Sequence, residues 1–438
     1  MKREALIMAC TSDVAGKVRG KSFPASQLEK RLKRGIGWTP TNVQITCFDN
    51  IADTPFGSFG DLVLIPDEAA VMRLPESEDG APDEVLMLGD ICQTDGTPWD
   101  FCTRSILRDA LGRLERVSGL TLNGTFEHEF QVRREEARPG TAFSSSGFRE
   151  WRAFGETLIA AMRANGIAPD TFLREFGPGQ FEVTMDPSQG IAVADQAVIL
   201  RELVHAVAAR FGKEATFVPI RGPDMVGNGV HVHISLLDSD GNPATHDANG
   251  KHELSRHAGQ FVAGILKYLD AITAITAPSV VSYLRLTPHR WSAAFNNLGF
   301  RDREASVRVC PVSDISDLAR ARQFHFEFRA ADAAASPYLL LAALVHAGAQ
   351  GIEEGLSVPD AIQQDLSLLS PQELADSGHK RLPQTLKQAL EVFAANETVC
   401  SWFPEGFVDL YVKHKQGEAA IVADLNPAEQ CRRYEEVY

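Results

Sequence analysis

The segment NGTFEHEF, residues 123–130, alternates polar and apolar side chains around two closely spaced glutamates. Alternation with a period of two is the signature of a β-strand, in which residues two apart share a face. Glu127 and Glu129 then lie on one face, flanked along the chain by Phe126 and Phe130. Working outward, the same spacing recurs in NGVHVH, which carries His231 and His233, and in FEFR, which carries Glu327 and Arg329. EFGPGQFE adds Glu175 and Glu182. An E-x-E on an amphipathic strand is ordinarily a solvated face, and an H-x-H is ordinarily two unrelated histidines. The setting here argues otherwise, because phenylalanines flank the acids and Gly227 and Gly229 precede the histidines. Charges in such surroundings are costly to bury unpaired, so a metal or counter-charge is expected. Five carboxylates and an imidazole (Glu127, Glu129, Glu175, Glu182, Glu327 and His231) suit two hard divalent cations, Mg²⁺ or Mn²⁺. Paired divalent ions beside arginines are what phosphoryl transfer from ATP requires.

The 438 residues allow two domains or one large one. A net charge of −15 argues against a general nucleic-acid or anionic-membrane surface, without excluding ATP. Seven scattered cysteines with no CxxC fit reduced thiols and a cytoplasmic location. The opening MKREALIMACTSD reads as a first strand, not a signal peptide. No stretch approaches the ~18 apolar residues of a membrane span.

Strands are expected at EALIMAC, KVRGKSF, FGDLVLIPD and EVLMLGDIC, with a helix over 25–34 and a solvated loop over 76–84. This strand-rich opening predicts a domain over 1–98, followed by a larger one over 99–438. In the second, strands are expected at TLNGTFEHEFQV, PGQFEVTMD, ATFVPI, GVHVHISL, ASVRVCP and HFEFRAA. Helices are expected over 105–117, 148–165, 193–211, 255–275 and 337–354, and a mobile surface loop over 133–147.

In these motifs the chain resembles the glutamine synthetase family. The likeness runs through GDLVLIPD, FEHEF, EFGPGQFEV, GNGVHVHISL, SYLRLTP, REASVRVCP, FEFRAADAAASPYL and the final Tyr438. The resemblance implies an α+β protein: an N-terminal β-grasp domain and a glutamine-synthetase-type α/β catalytic domain. It also implies a homo-oligomer, a double-ring dodecamer with active sites between subunits. Glu129, Glu175 and Glu182 would hold one divalent cation, and Glu127, His231 and Glu327 the other. Arg285 and Arg329 match residues gripping the carboxylates of L-glutamate, and Gly227 matches the glycine at its amino group. Arg303 and Arg308 match arginines on the ATP phosphates and the γ-glutamyl phosphate. His233 and Ser235 fall on the nucleotide side, and Arg322 matches a basic nucleotide contact. The implied chemistry is activation of the γ-carboxylate by ATP, followed by attack of an amine on the acyl phosphate.

Two departures bear on the nucleophile. An acidic flap residue of ammonia-using relatives lies six positions after the arginine matching Arg285, and Trp291 stands there. A second acid, from the neighbouring subunit's N-terminal domain, is matched by Thr39 in GIGWTPTNV. Ammonium is strongly hydrated and needs carboxylates, whereas an aromatic face suits an alkylammonium head. The expected nucleophile is therefore a small primary amine and the product a γ-glutamylamide, with Glu175 as the candidate base. Alternatives stay open: Trp291 as a packing residue with Glu175, Asp302 or Glu304 binding ammonium, a glutamine synthetase proper, or a non-catalytic scaffold. Retention of the six ligands and four arginines counts against the scaffold. Val226 replaces a usually polar position, and segment 356–374 has no tyrosine for adenylylation.

Overall fold

The computed structural model describes residues 3–53, 55–75, 81–133, 138–300, 302–313, 315 and 319–438. Its first sheet contains β1 (Leu6–Ser12), β2 (Val18–Pro24), β3 (Ile36–Trp38), β4 (Leu62–Leu74) and β5 (Glu84–Gln93), in the order β2-β1-β5-β4-β3. The β1–β5 pairing is parallel and the others are antiparallel, with the helix Leu28–Arg34 laid against β4. That is a grasp-like arrangement. The expected helix over 25–34 begins as a tight 3₁₀ turn, Ala25–Gln27, because Pro24 ends the strand and the chain must reverse direction.

The second sheet carries β6 (Thr121–Val132), β7 (Pro169–Arg174), β8 (Gln180–Met185), β9 (Ser188–Gln189) and β10 (Ala215–Thr216). It continues with β11 (Val230–Leu237), β12 (Leu298–Phe300), β13 (Val307–Val309) and β14 (Phe326–Ala331). Its order is β12-β13-β14-β11-β6-β8-β7, with β9 and β10 also pairing with β6. Along β6 the alternation is clean: Leu122, Phe126, His128 and Phe130 are buried, while Asn123, Thr125, Glu127 and Glu129 are half-buried. One face is core and the other is a polar floor. Helices Thr103–Ser118 and Ala192–Arg210 back this sheet.

Behind them, helices Arg256–Thr276 and Pro337–Glu353 pack closely together. A Cβ on Gly264 would lie 2.1 Å from the Ala347 carbonyl oxygen, so glycine is required for this approach. Contrary to the expectation that no stretch approaches a membrane span, helix Arg256–Thr276 is long and apolar enough to cross one, the one such helix among the described residues, and its apolar surface is largely buried inside the fold.

The expected strand ATFVPI pairs at Ala215–Thr216 alone. Val218 and Ile220 instead turn into a second apolar cluster with Tyr434 and Tyr438, and the Pro219 carbonyl accepts from the Asn228 amide at 2.8 Å. ASVRVCP is likewise shorter than expected, pairing over Val307–Val309. Of the two expected loops, residues 76–80 and 134–137 lie outside the described residues. The rest of the second ends at Ser144, whose hydroxyl caps helix Ser145–Ala164 by accepting from the Gly147 amide at 3.1 Å.

The two sheets are joined through Arg104, which is fully buried. Its guanidinium donates to Asp195 at 2.8 and 3.0 Å, to Asp67 on β4 at 2.9 Å and to Asp90 on β5 at 3.2 Å. The Tyr338 hydroxyl donates to the same Asp195 at 2.6 Å. At the far end, the Tyr438 hydroxyl donates to the Ala15 carbonyl at 2.9 Å, tying the C-terminus back to the first hairpin.

Candidate active site

Strand register, more than sequence proximity, builds the site. His231 lies opposite Glu127, Glu129 opposite Glu182, and His233 opposite Glu327, which in turn faces Arg308. Residues from β6, β8, β11, β13 and β14 thus meet on one face of the sheet. His231 Nδ1 is 2.8 Å from Glu127 Oε1, and His233 Nε2 is 3.1 Å from Glu127 Oε2 and 3.4 Å from Glu327 Oε2. Glu327 Oε1 accepts from Arg308 at 2.7 Å and from Arg329 at 2.9 Å. Glu129 Oε2 accepts the Gly229 amide at 2.6 Å.

The electrostatics are divided across this floor. Burial opposes charge on Glu327, but His231, Arg329 and His233 outweigh it and hold the carboxyl at about 2. On the other side, burial together with the acids Glu127 and Glu129 pushes Glu182 up to about 10. Burial also raises Glu129 to about 7, against the Gly229 amide. Mutually repelling buried carboxylates beside an imidazole are the donor chemistry of a hard divalent cation. Glu127, Glu182 and His231 bring ligand atoms within 4.8 Å of one another. Glu129 and Glu175 border the same space, and Glu175 Oε2 accepts its neighbour's amide, Phe176 N, at 3.1 Å. The donor set therefore fits divalent ions. Glu127 and His231, expected in one ligand set, lie within reach of Glu182, expected in the other, and Glu327 accepts from two arginines.

Beside the acids opens a cavity of about 530 Å³. Glu129, His231 and Arg285 form its floor, Gly227 and Val226 one wall, and Phe143, Phe176 and Trp291 the mouth. Trp291 is 72% exposed and sits at φ 52°, a left-handed backbone that L side chains rarely adopt. Glu304 holds it there, its two carboxylate oxygens accepting the amides of Trp291 (3.2 Å) and His289 (3.3 Å). A Cβ on Gly227 would meet Arg285 Cγ at 2.5 Å, so the glycine is what lets the arginine lie against the backbone. Arg285 donates to Ser292 Oγ at 3.2 Å and to the Ala331 carbonyl, and Arg329 Nε to the Arg303 carbonyl at 3.0 Å.

Not every expected residue reaches this space. Arg303 is exposed and does not line the cavity, and Arg322 is exposed on the one-turn helix Arg320–Gln323. Ser235 shares a face with His231 and His233 and accepts from Asn123 Nδ2 at 2.9 Å. Thr39 lies in the first domain, just before the turn Pro40–Gln44, and does not line the cavity of its own chain.

The glutamine synthetase catalytic-domain model matches residues 100–434, and the glutamine synthetase N-terminal-domain model matches residues 1–99. The chain belongs to the glutamine synthetase family. The gamma-glutamylpolyamine synthetase GlnA3 of Streptomyces coelicolor is 32% identical, over 94% of this chain and 89% of that protein. The glutamine synthetase of Thermus thermophilus is 29% identical, over 93% and 90%. A solved structure described as a novel glutamine synthase homolog is 39% identical, covers 100% of this chain and 99% of its own, and superposes with a TM-score of 0.92.

Several members of this family member's site escaped the sequence reading. Gln180 donates to the Gly227 carbonyl (2.9 Å) and Asn228 Oδ1 (3.0 Å), bracing the cavity wall. Arg174 donates to three carbonyls of the turn that carries Glu175. Amide side chains and arginines of this kind leave no periodic mark. His325 and Cys310 were not singled out either, although His325 stands two before Glu327 and so shares its face.

Proposed function

We propose that this protein is an ATP-dependent ligase joining the γ-carboxylate of L-glutamate to a primary amine through a γ-glutamyl phosphate. The observation that carries the choice of amine is the mouth of the cavity, where Trp291, Phe143 and Phe176 present aromatic surface. The acids that would substitute for a missing ammonium site are partly spent: Glu304 caps the backbone at Trp291, and Asp302 Oδ1 accepts the Glu304 amide at 2.9 Å. The 32% identity to a gamma-glutamylpolyamine synthetase supports the same direction.

In this reading Arg285 and Arg329 bind the fixed carboxylates of glutamate, with Gly227 at its amino group. Arg303 and Arg308 neutralise phosphoryl oxygens of ATP and of the acyl phosphate, and Glu175 takes the proton from the incoming ammonium. His233, Ser235 and Arg322 serve the nucleotide. Two divalent cations, Mg²⁺ or Mn²⁺, held by Glu127, Glu129, Glu175, Glu182, His231 and Glu327, would supply Lewis-acid stabilisation of phosphate charge. We assign residues 1–98 to the grasp domain and 99–438 to the catalytic domain, and place the protein in the cytoplasm as a dodecamer. Trp291 then shares its task with the neighbour's Thr39.

Phosphate release from ATP with Mg²⁺ and glutamate tests the reading, comparing ammonia with methylamine, isopropylamine, ethanolamine, putrescine and aniline, with mass detection of the product. Turnover with an amine well above that with ammonia is expected. Preference for ammonia would make Glu175 and Asp224, which also line the cavity, an ammonium site and the protein a glutamine synthetase.

A further inference from the structure

Beside the carboxylate floor lies a cluster of a different chemical character. Cys310, His325 and His233 each bring one potential ligand atom within 4.8 Å of the other two. The backbone holds them in place. His233 is on β11, His325 directly precedes β14, and the Cys310 amide donates to the His325 carbonyl at 3.1 Å. The two imidazole centroids are 5.1 Å apart. Cys310 is 6% exposed, while both histidines are half-buried.

We infer that Cys310, His325 and His233 form a binding site for one soft divalent cation of the Zn²⁺ class, adjoining the hard-ion carboxylates through His233. Donor type is the first reason. One thiolate and two imidazoles match Zn²⁺ or Co²⁺ and are poor ligands for Mg²⁺ or Mn²⁺. The surroundings of the rings are the second. His325 Nδ1 sits 2.7 Å from the Gln323 carbonyl, which fixes that nitrogen as a donor and leaves Nε2 with its lone pair. His233 Nε2 is backed by the carboxylates of Glu127 and Glu327 at 3.1 and 3.4 Å. A carbonyl behind one imidazole and carboxylates behind the other are the outer partners that orient ligating histidines. Three protein ligands leave a fourth position for water. On binding, the Cys310 S–H bond breaks, its proton leaves to solvent and an S–metal bond forms.

The test is a Co²⁺ titration of the full-length, reduced protein in excess Mg²⁺, followed by the thiolate-to-cobalt charge-transfer band. One Co²⁺ per chain is expected to produce the band, and Zn²⁺ to abolish it. Cys310→Ser should lose the band, and His325→Gln should weaken Co²⁺ binding at least about tenfold. If one substitution fails to fold, judged by far-UV dichroism, the other decides. Absence of the band in the wild type would overturn the assignment, as would a full-strength band in Cys310→Ser or unchanged affinity in His325→Gln.

Discussion

Trp291 and Arg285 divide the labour at the cavity: one presents a neutral aromatic face and the other a buried guanidinium 4% exposed. If the face receives an alkylammonium head, Trp291→Ala should raise the amine KM by about five- to thirtyfold, the worth of ~1–2 kcal/mol of cation–π contact. The KM for glutamate should move far less, and initial-rate kinetics in both substrates would show the split. Equal changes in both would mean that Trp291 shapes the whole flap. Arg285→Gln removes a charged hydrogen-bonding fork, so kcat/KM for glutamate should fall by about 10- to 150-fold, or ~1.5–3 kcal/mol. A drop confined to the amine would displace Arg285 from the glutamate site. The acids of FEHEF were readable as a pair two apart, and their half-buried face bears that out. His128 between them was not read at all: it is buried on the core face, where burial and Arg201 push it down to about 3 and keep it neutral.

Elements decide how firmly such groups are held. The turn between β7 and β8 is clasped by Arg174, which donates to the carbonyls of Glu175 (2.8 Å), Gly177 (2.6 Å) and Gln180 (2.8 Å). Because Glu175 N also donates to the Gln180 carbonyl at 2.9 Å, its carboxylate is presented from a closed loop. Arg174→Met should destabilise by about 1–3 kcal/mol through unsatisfied carbonyls. It should also lower kcat more than it raises the glutamate KM, as seen from thermal melts beside steady-state kinetics. A melt shift with unchanged kinetics would make the clasp purely structural. β7 itself escaped prediction because its Pro169–Arg174 run shows no clean alternation. The true extents of β10 and β13 depended on where other chain segments lay, which no local propensity encodes.

For the whole molecule, Arg104 is the joint between the two sheets. It is fully buried against three aspartates from β4, β5 and helix Ala192–Arg210. Arg104→Met would leave Asp195 buried without its cation, at a cost of about 3–5 kcal/mol. Calorimetry should show a lower melting temperature or separate transitions for the two sheets, while an unchanged melt would dismiss the joint. Partial burial works against charge on Asp67, but the Ala69 amide and Arg104 prevail and hold it below the usual 3.8. Its contribution is therefore present above the unfolded-state value and is lost as pH falls through the lower folded one. Asp67→Asn should flatten stability against pH in that acid window.

The strand periods, the small first domain, the list of acids and arginines and the neutral residues at positions 39 and 291 were all carried by the sequence. Each depends on local spacing or on side-chain type, and both survive in one dimension. The partition of those acids was decided by tertiary structure. Register sets Glu182 opposite Glu129 and His231 opposite Glu127, and places Glu327 between His233 and Arg308. The same register places Cys310 beside His325, and the closing of the fold buries Arg104 among its aspartates. Those outcomes depend on which strands pair and on how much water is excluded between them, and each is a property of the packed chain as a whole.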